Sequence, residues 1–423
     1  MTGELVEEAA RRAIGVLERC VTPLGFRASA TDDGYPEVWA RDAMIVLLGV
    51  CAAGLESLEP AARASLETLA AGQSPLGALP ISVDAQGRRS TANAGGLDGN
   101  LWYIIGHHAL HATFGEMALL ERNRDSIARA MLWARYQDSD EDGLVETQEA
   151  ADWADLLAGR GKVLYDNVLY LLALRAYAAM ARVVELPDGP AHAELAGTVV
   201  DQLNALHWVE SRDGIWDTAS SPALHGAHME SQRLAQLTVT QLWSRPYYLP
   251  WVAFRSYGDW CDVLANSLAV LAGVPDPVRR ARVLDHFAAV GVAEPYPARS
   301  IDPAIQPGDR DWREYYRNGN LNLPHQYHNG GIWPFVGGFL VAALIHAGRR
   351  SDAESHLERL AAAVRCGRGG TETWEFNEWH HGVSGRPMGR PLQAWSAAMY
   401  LFAYHSVQRG RPVYFDQGGM LGG

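Results

Sequence analysis

The sequence predicts an all-α fold: a single (α/α)6 barrel, a toroid of six helical hairpins, formed by residues 1–423 as one domain. Apolar residues recur with helical spacing from end to end, and the alternating pattern of half-buried strands is scarce. The links between helices also alternate between short and long. Twelve helices are predicted, at residues 5–20, 42–53, 60–71, 100–113, 117–136, 164–184, 190–206, 260–273, 277–290, 334–348, 352–365 and 392–408.

Two of these helices carry start signals in the sequence. Asp276 before Pro277 has the residue types of an N-cap and a first helical position. Ser351 with Glu354 has the spacing of a capping box, in which the two side chains bond to each other's backbone N–H.

The link lengths determine how the helices are arranged. Links in compact domains usually have about 4–6 residues, and links beyond about 12–15 are commonly functional. The short links are 54–59, 114–116, 185–189, 274–276 and 349–351, and the long ones are 21–41, 72–99, 137–163, 207–259, 291–333 and 366–391. This alternation predicts an inner and an outer ring of six helices, with every long link and the active site on one face. A helical solenoid would show a sequence repeat, and none is found.

Composition excludes several kinds of partner. Lys and Arg number 36 against 49 Asp and Glu, a formal net charge of −13, and basic runs are absent, so nucleic acid and anionic membranes are not expected partners. The four cysteines lie far apart, the first ten residues do not resemble a signal peptide, and no apolar stretch reaches about 18 residues. We expect a cytoplasmic protein, with a homo-oligomer allowed.

The long links concentrate polar and aromatic residues that do not belong in a core. Trp (14) and Tyr (16) outnumber Phe (9), and rings with a polar edge suit sugar binding. The clusters contain Tyr35, Trp39, Arg41 and Asp42 in the first long link, Asp98 and Trp102 at the end of the second, Trp153 and Asp155 in the third, His328, Asn329 and Trp333 in the fifth, and Glu378 and Trp379 in the sixth.

Four carboxylates in these clusters are candidates for chemistry. Cleavage of a glycosidic bond needs one carboxylic acid and one carboxylate on opposite sides of the bond. Asp42 and Asp98 stand at helix starts, where a cap and a sugar contact are equally consistent with the sequence. Asp155 and Glu378 lie in mid-link beside tryptophans, and apolar rings raise a carboxyl pKa as an acid catalyst requires. A solvated loop carboxylate is the alternative for both.

Two further clusters resemble metal sites. Asp138, Asp140 and Asp142, with Gly143 and Glu149, have the spacing of a calcium-binding loop, but we expect a loop rich in Asx turns there rather than a metal site. His107, His108 and His111 lie on a predicted helix, and we expect ordinary helical histidines there rather than metal ligands.

The motifs resemble those of the (α/α)6 glycosidases, above all the neutral/alkaline invertases of glycoside hydrolase family 100. They also resemble the glucosidase domains of glycogen-debranching enzymes. The blocks that carry the resemblance are Arg41-Asp42, Asp98-x-x-Leu101-Trp102, Leu264-x-Asn266-Ser267 and His328-Asn329-Gly330-Gly331-x-Trp333-Pro334.

The resemblance implies an inverting, exo-acting glycoside hydrolase without a cofactor. The family's general acid is followed four residues later by Gly, as Asp155 is by Gly159, and its general base precedes a Gly-Arg-x-x-Gly turn, as Glu378 precedes 385–389. The implied sugar contacts are Arg41, Asp42, Asp98, His328 and Asn329, the implied walls are Trp39, Trp102, Trp153, Trp333 and Trp395, and Tyr35 and Gln393 complete the substrate-binding set.

Departures from the invertase pattern leave the substrate open between sucrose, a related small α-glucoside and an α-1,6-linked glucan. Leu156 and Leu157 stand where invertases usually have two arginines, and Trp153-x-Asp155 with Gly161-Lys162 is closer to debranching glucosidases. A sugar epimerase or isomerase, with His325, His328, His380 and His381 as acid and base, is the alternative from another class. A non-catalytic sugar-binding barrel is the third.

Overall fold

The computed structural model describes residues 2–31, 34–91, 96–210, 242–369 and 373–415. Within these residues the fold is mostly helical, as predicted. The helices are α1 (Thr2–Arg19), α2 (Ala40–Ala53), α3 (Glu59–Gly72), α4 (Asp98–Phe114), α5 (Met117–Arg135), α6 (Leu164–Met180), α7 (Gly189–Leu206), α8 (Val263–Leu271), α9 (Pro277–Val290), α10 (Pro334–His346), α11 (Arg350–Arg365) and α12 (Ala394–Arg409). None of these helices is both long and apolar enough to cross a membrane.

The even-numbered helices contact one another in a closed ring. Helix α2 packs against α4, α4 against α6, α6 against α8, α8 against α10 and α10 against α12, and α12 returns to α2. These helices are buried on nearly every side; in α10 every residue from Pro334 to Ile345 is buried. The odd-numbered helices bury one face only, as helices on the outside of a ring do.

Short strands, which the sequence pattern did not predict, lie in the long links. They are β1 (Val21–Thr22), β2 (Gly25–Phe26), β3 (Val38–Trp39), β4 (Ser82–Val83), β5 (Arg89–Ser90), β6 (Lys162–Val163), β7 (Trp251–Ala253), β8 (Ser256–Tyr257), β9 (Cys261–Asp262), β10 (Ile301–Asp302), β11 (Trp379–His380) and β12 (Pro387–Met388). The all-α prediction therefore needs correction in the links. Strands of two or three residues are too short to show a period in sequence.

Strand pairing joins different long links to each other. β3 pairs with β4, β6 with β7 and β9 with β10, all antiparallel. Isolated bridges join Ile332 to His380 and Ser29 to Gln393, which connects the fifth link to the sixth and the sixth back to the first. Because these segments hydrogen-bond to each other, the long links meet at the same end of the helical ring.

Of the two helix starts that the sequence predicts, one is confirmed and the other is wrong. Asp276 caps α9 by accepting hydrogen bonds from the backbone N–H groups of Val278 and Arg279, as predicted. The capping box at Ser351 is wrong: α11 begins at Arg350, so Ser351 already lies inside the helix, and its N-cap residue makes no side-chain cap.

Buried asparagine side chains attach the long links to the helical ring. The Asn266 amide oxygen accepts from Tyr248 N–H at 2.9 Å, and its Nδ2 donates to the carbonyls of Tyr248 at 3.1 Å and Asp262 at 2.9 Å. Asn167 makes the same set of bonds to Val145, and Asn100 to Leu79 and Gly77. All three asparagines are fully buried, so water cannot replace these bonds.

Replacing Asn266 with Ala should lower the free energy of unfolding by about 3 kcal/mol. The substitution leaves the buried N–H and C=O of Tyr248 without their side-chain partner, and each such group costs about 1–3 kcal/mol. Urea unfolding followed by circular dichroism measures the loss. Asn318→Ala, at an exposed position, is the matched control and should change stability by less than about 0.5 kcal/mol. Equal stability of the two variants would contradict the role of the Asn266 amide.

Candidate active site

Arg41 and Asp98 form a buried ion pair at the end of the ring where the long links meet. Arg41 Nε donates to Asp98 Oδ2 at 2.5 Å and Nη2 to Oδ1 at 3.3 Å, with the side chains 17% and 3% exposed. The Tyr165 hydroxyl, which accepts a hydrogen bond from Trp102 Nε1, lies 3.4 Å from Asp98 Oδ2. Asp98 is the first residue of α4 and does not act as its N-cap, so the cap alternative for Asp98 is wrong.

Asp42 lies in the first turn of α2, beside this ion pair. Burial raises its pKa to about 6, against the lowering effect of Arg41. Tyr35 and Trp39 precede it on the first long link, with their rings edge to face at 5.8 Å. A cleft lined by Trp39, Arg41, Asp42, Pro80 and Asp98 opens at this point.

Asp155 lies on a tight turn in the third long link. The turn is closed by a hydrogen bond from Leu157 N–H to Ala154 C=O at 2.8 Å. The Asp155 side chain is 43% exposed, so a substrate can reach it, while the protein around it raises its pKa by burial. Arg41 opposes that rise and Asp98 adds to it.

Glu378 lies in the sixth long link, just before β11, and is only 7% exposed. Burial raises its pKa to about 7, although its Oε2 accepts a hydrogen bond from Arg390 N–H at 2.8 Å. Gly389 packs directly against it: a Cβ at Gly389 would lie 2.5 Å from Glu378 Oε2, and the glycine has a φ of +67°. The Gly-Arg-x-x-Gly turn therefore leaves room for the Glu378 carboxylate, which a side chain at position 389 would fill.

Two tyrosines lie within electrostatic range of carboxylates from several long links. Burial raises the pKa of Tyr35 to about 12, and the charges of Glu378, Asp42 and Asp155 raise it further. The pKa of Tyr327 is also raised, by burial and then by Asp155, Glu378 and Tyr35. Tyr327 was not among the predicted site residues, although the residue directly precedes His328, which was.

His328 lies beside Asp155 and packs against two tryptophan rings. Its Nδ1 is 3.7 Å from Asp155 Oδ1, too far for a hydrogen bond, and burial lowers the pKa of the imidazole well below its usual range, so the ring is neutral. The ring stacks on Trp333 at 5.2 Å and meets Trp153 edge to face at 5.0 Å.

Three residues that were predicted to contact or enclose the sugar lie beneath the surface of the site. Asn329 is fully buried, with its amide bonded to both the N–H and the C=O of Ile305, as in the other asparagine attachments. Trp102 and Trp333 are each 1% exposed, and their Nε1 atoms donate to Tyr165 Oη and Tyr327 C=O. These three residues support the site and have no surface to offer a sugar.

Other predicted site residues carry buried polar atoms that have no hydrogen-bond partner among the described residues. These are the Nε1 atoms of Trp39, Trp153 and Trp395 and the Oε1 atom of Gln393. Buried polar groups in proteins are nearly always paired, so these atoms are exceptions, but the protein covers them and they are not presented to a ligand at the surface of the cleft.

The loop that resembles a calcium site brings Asp138 and Asp140 together with Glu146, which the calcium pattern did not include, but not with Glu149. Lys162, 4% exposed, bonds to Asp140 at 2.9 Å and to Glu146, and lies 3.4 Å from Asp142. Asp138 accepts from the N–H groups at 142 and 143, as in an Asx turn. Glu149 instead bonds to Arg313 and Arg160, so the last residue of the calcium pattern lies outside this acidic group.

Of the three helical histidines, His107 has the structural role that was expected. His107 is buried in α4, with its Nδ1 against Tyr103 C=O at 3.0 Å and its Nε2 against Asn123 Nδ2 at 3.0 Å. Burial lowers the pKa of His107 and of His108 to about 4, which keeps both rings neutral.

Comparison with known proteins confirms the predicted resemblance to invertases. Residues 263–409 match the family described as alkaline and neutral invertase. The chain is similar to probable alkaline/neutral invertase D of Arabidopsis thaliana, at 32% identity over 145 residues, which is 33% of this chain and 26% of the relative. The match thus spans about a quarter of that relative. The family match at residues 263–409 includes the fifth and sixth long links, with His328 and Glu378.

Solved structures share the whole fold at low sequence identity. GH63 mannosylglycerate hydrolase from Thermus thermophilus, in complex with glucose, superposes with a TM-score of 0.66 and 16% identity over 93% of this chain and 99% of that chain. A bacterial glucoamylase complexed with acarbose has a TM-score of 0.67 and 15% identity over 98% of this chain and 57% of that chain. The architecture is therefore that of known glycosidases.

Glu378→Gln should stabilise the protein at pH 8 and have little effect at pH 4. The folded carboxyl, with its pKa near 7 against an ordinary 4.5, binds more protons than the unfolded one between these values. Stability is therefore lost as the pH rises through that window, by up to about 3 kcal/mol. Glutamine carries no charge and keeps an acceptor for Arg390 N–H.

Thermal unfolding of both proteins at pH 4 and pH 8 measures this difference. Glu121→Gln, which removes the same formal charge from the exposed side of α5, is the matched control and should show no such pH dependence. A Glu378→Gln variant that is less stable than the wild type at pH 8 would contradict the assignment.

Proposed function

We propose that this chain is an inverting, exo-acting glycoside hydrolase, folded as a single catalytic (α/α)6 barrel. The observation that carries the proposal is that Tyr327 joins the surroundings of Asp155 and Glu378, two carboxyl groups with raised pKa values on different long links. The Tyr327 ring packs on His328, beside Asp155, at 4.0 Å and on Trp379, which follows Glu378, at 5.8 Å. The closed ring of even-numbered helices and the matches to glycosidases support it.

In the proposed reaction, Asp155 protonates the glycosidic oxygen as its bond to the anomeric carbon breaks. Glu378 accepts a proton from the water that attacks that carbon from the opposite face, so the product has the inverted anomeric configuration. Asp155 ends ionised and Glu378 ends protonated, and exchange with solvent restores both. The exposure of Asp155 and the burial of Glu378 agree with a leaving group that departs toward solvent.

The sugar at the cleavage point would be held by the groups around these carboxyls. The Arg41–Asp98 pair offers a fixed donor and acceptor, and Asp42 lies beside it. Trp39, which is half-buried and lines the same cleft, would offer ring surface to the sugar. No organic cofactor takes part in this scheme.

Sucrose is the substrate that the invertase match favours, with a related small α-glucoside next. The match covers the base in the sixth link but not the third link, where Leu156 and Leu157 depart from the invertase pattern. An α-1,6-glucosidase of debranching type therefore stays the alternative within the same reaction class. We place the protein in the cytoplasm, as its cysteine usage and acidic composition predict.

Proton NMR of the anomeric signals tests the reaction class and the substrate together. We expect the protein to hydrolyse one of sucrose, isomaltose, trehalose and a short branched glucan, and to release the first-formed sugar with inverted configuration. Retained configuration would overturn the mechanism. Failure on all four, with slow interconversion of free glucose, fructose or mannose, would point to the isomerase alternative and its histidines.

Leaving-group dependence should separate the roles of the two carboxyls. Asp155→Asn should slow hydrolysis of the glycoside by about 10²–10⁴-fold but largely spare α-glucosyl fluoride, because fluoride leaves without a proton. Glu378→Gln should slow both substrates, because both need an activated water. Stopped assays of glucose release measure these rates for a protein that transfers a glucosyl group.

Glu37→Gln is the matched control for these variants, since it changes a carboxylate of the first long link that lies between Tyr35 and Trp39 in sequence. It should keep the rates of the wild type on both substrates. If instead Glu378→Gln spared the fluoride and Asp155→Asn did not, the acid and base assignments would be exchanged.

A further inference from the structure

We propose that Asn322 is a positioning residue for the general acid, and that its side-chain amide sets the separation between Asp155 and His328. The inference rests on the proposed function, because it assigns Asn322 a part in the proton transfer from Asp155. The contacts that carry it are side-chain to backbone bonds in the third and fifth long links.

The turn that presents Asp155 is held at three points. Ala154 N–H donates to Asp152 Oδ1 at 2.6 Å, and Ala158 N–H donates to Tyr316 Oη at 2.9 Å. The third point is the carbonyl of Leu156, the residue after Asp155, which accepts from Asn322 Nδ2 at 2.6 Å. Of these three anchors, the one from Asn322 is nearest to Asp155 on its C-terminal side.

The other half of the same amide holds the turn that presents His328. Asn322 Oδ1 accepts from the backbone N–H of Asn329 at 2.9 Å, and Asn329 directly follows His328. One planar group therefore bonds to the residue after Asp155 and to the residue after His328. The two side chains so placed approach each other to 3.7 Å, between Asp155 Oδ1 and His328 Nδ1.

An asparagine amide suits this position for a chemical reason. It supplies a donor and an acceptor on one rigid plane, whereas a carboxylate offers only acceptors and a hydroxyl cannot span two groups in this way. Asn322 is fully buried, so water does not compete for either bond. Loss of the amide would release the Asp155 turn from the His328 turn, and displacements of about 1 Å in such groups can cost about 10²-fold in rate.

The test compares Asn322→Ala with Asn266→Ala, which removes an equally buried amide from a different long link. We expect Asn322→Ala to lower kcat on the cleaved glycoside by about 10²-fold relative to Asn266→Ala, with KM little changed. On α-glucosyl fluoride, which needs no proton from Asp155, the two variants should hydrolyse at similar rates. A merely structural role for Asn322 would slow both substrates alike.

Asn322→Asp serves as a second variant where Asn322→Ala does not fold. It has the same shape and keeps an acceptor for Asn329 N–H, but its ionised carboxylate cannot donate to Leu156 C=O. Hydrolysis of the glycoside should therefore again be slowed selectively, at pH values above the pKa of the new carboxyl. Equal losses on glycoside and fluoride in either Asn322 variant would overturn the inference and leave the glycosidase intact. A wild-type protein inactive on every glycoside would overturn both.

Discussion

Each long link runs across the end of a helical ring, where its backbone is buried and yet too irregular to pair as a continuous sheet. Buried N–H and C=O groups must nevertheless find partners. In this chain, asparagine side chains at or near the starts of inner helices supply them: Asn100, Asn167 and Asn266 each bond to a link, and Asn329 does the same just before α10. The links that carry the site residues are held to the helical ring by such bonds.

The attachments also explain why the site can hold so many carboxyl groups. Rigid links keep Asp42, Asp98 and Asp152 near the guanidinium of Arg41, and they keep Glu378 near Asp42 and the backbone of Arg390. Burial raises the pKa of Asp152 to about 7, and the charge of Asp98 raises it further. A looser backbone would let these groups move apart into water, so part of the folding free energy maintains pKa values that suit proton transfer.

The sequence predicted the plan of the fold because the plan depends on quantities that a sequence displays. Alternating link lengths imply two concentric sets of helices, and Trp153 and Trp379 mark links whose carboxyls lie near aromatic rings. Two-residue strands and the ion pair of Arg41 with Asp98 depend on contacts between distant links, which no local pattern records. The sugar contact predicted for Asn329 has the same origin. Its motif is typical of an active-site block, but only the fold shows that its amide bonds to Ile305.

The acidic loop of the third link shows how a local pattern can be fulfilled by another chemistry. Asp140 and Glu146 form with Asp138 a group whose oxygens lie within 4.8 Å of one another, and such a group requires a positive charge. Lys162, the only lysine among the 36 basic residues of the chain, supplies it. A compact ammonium with three donors can meet several carboxylates in a small space, whereas a planar guanidinium suits a two-pronged contact better. Because β6 begins at Lys162 and pairs with β7, this charge joins the acidic loop to the strand that closes the third link after Asp155.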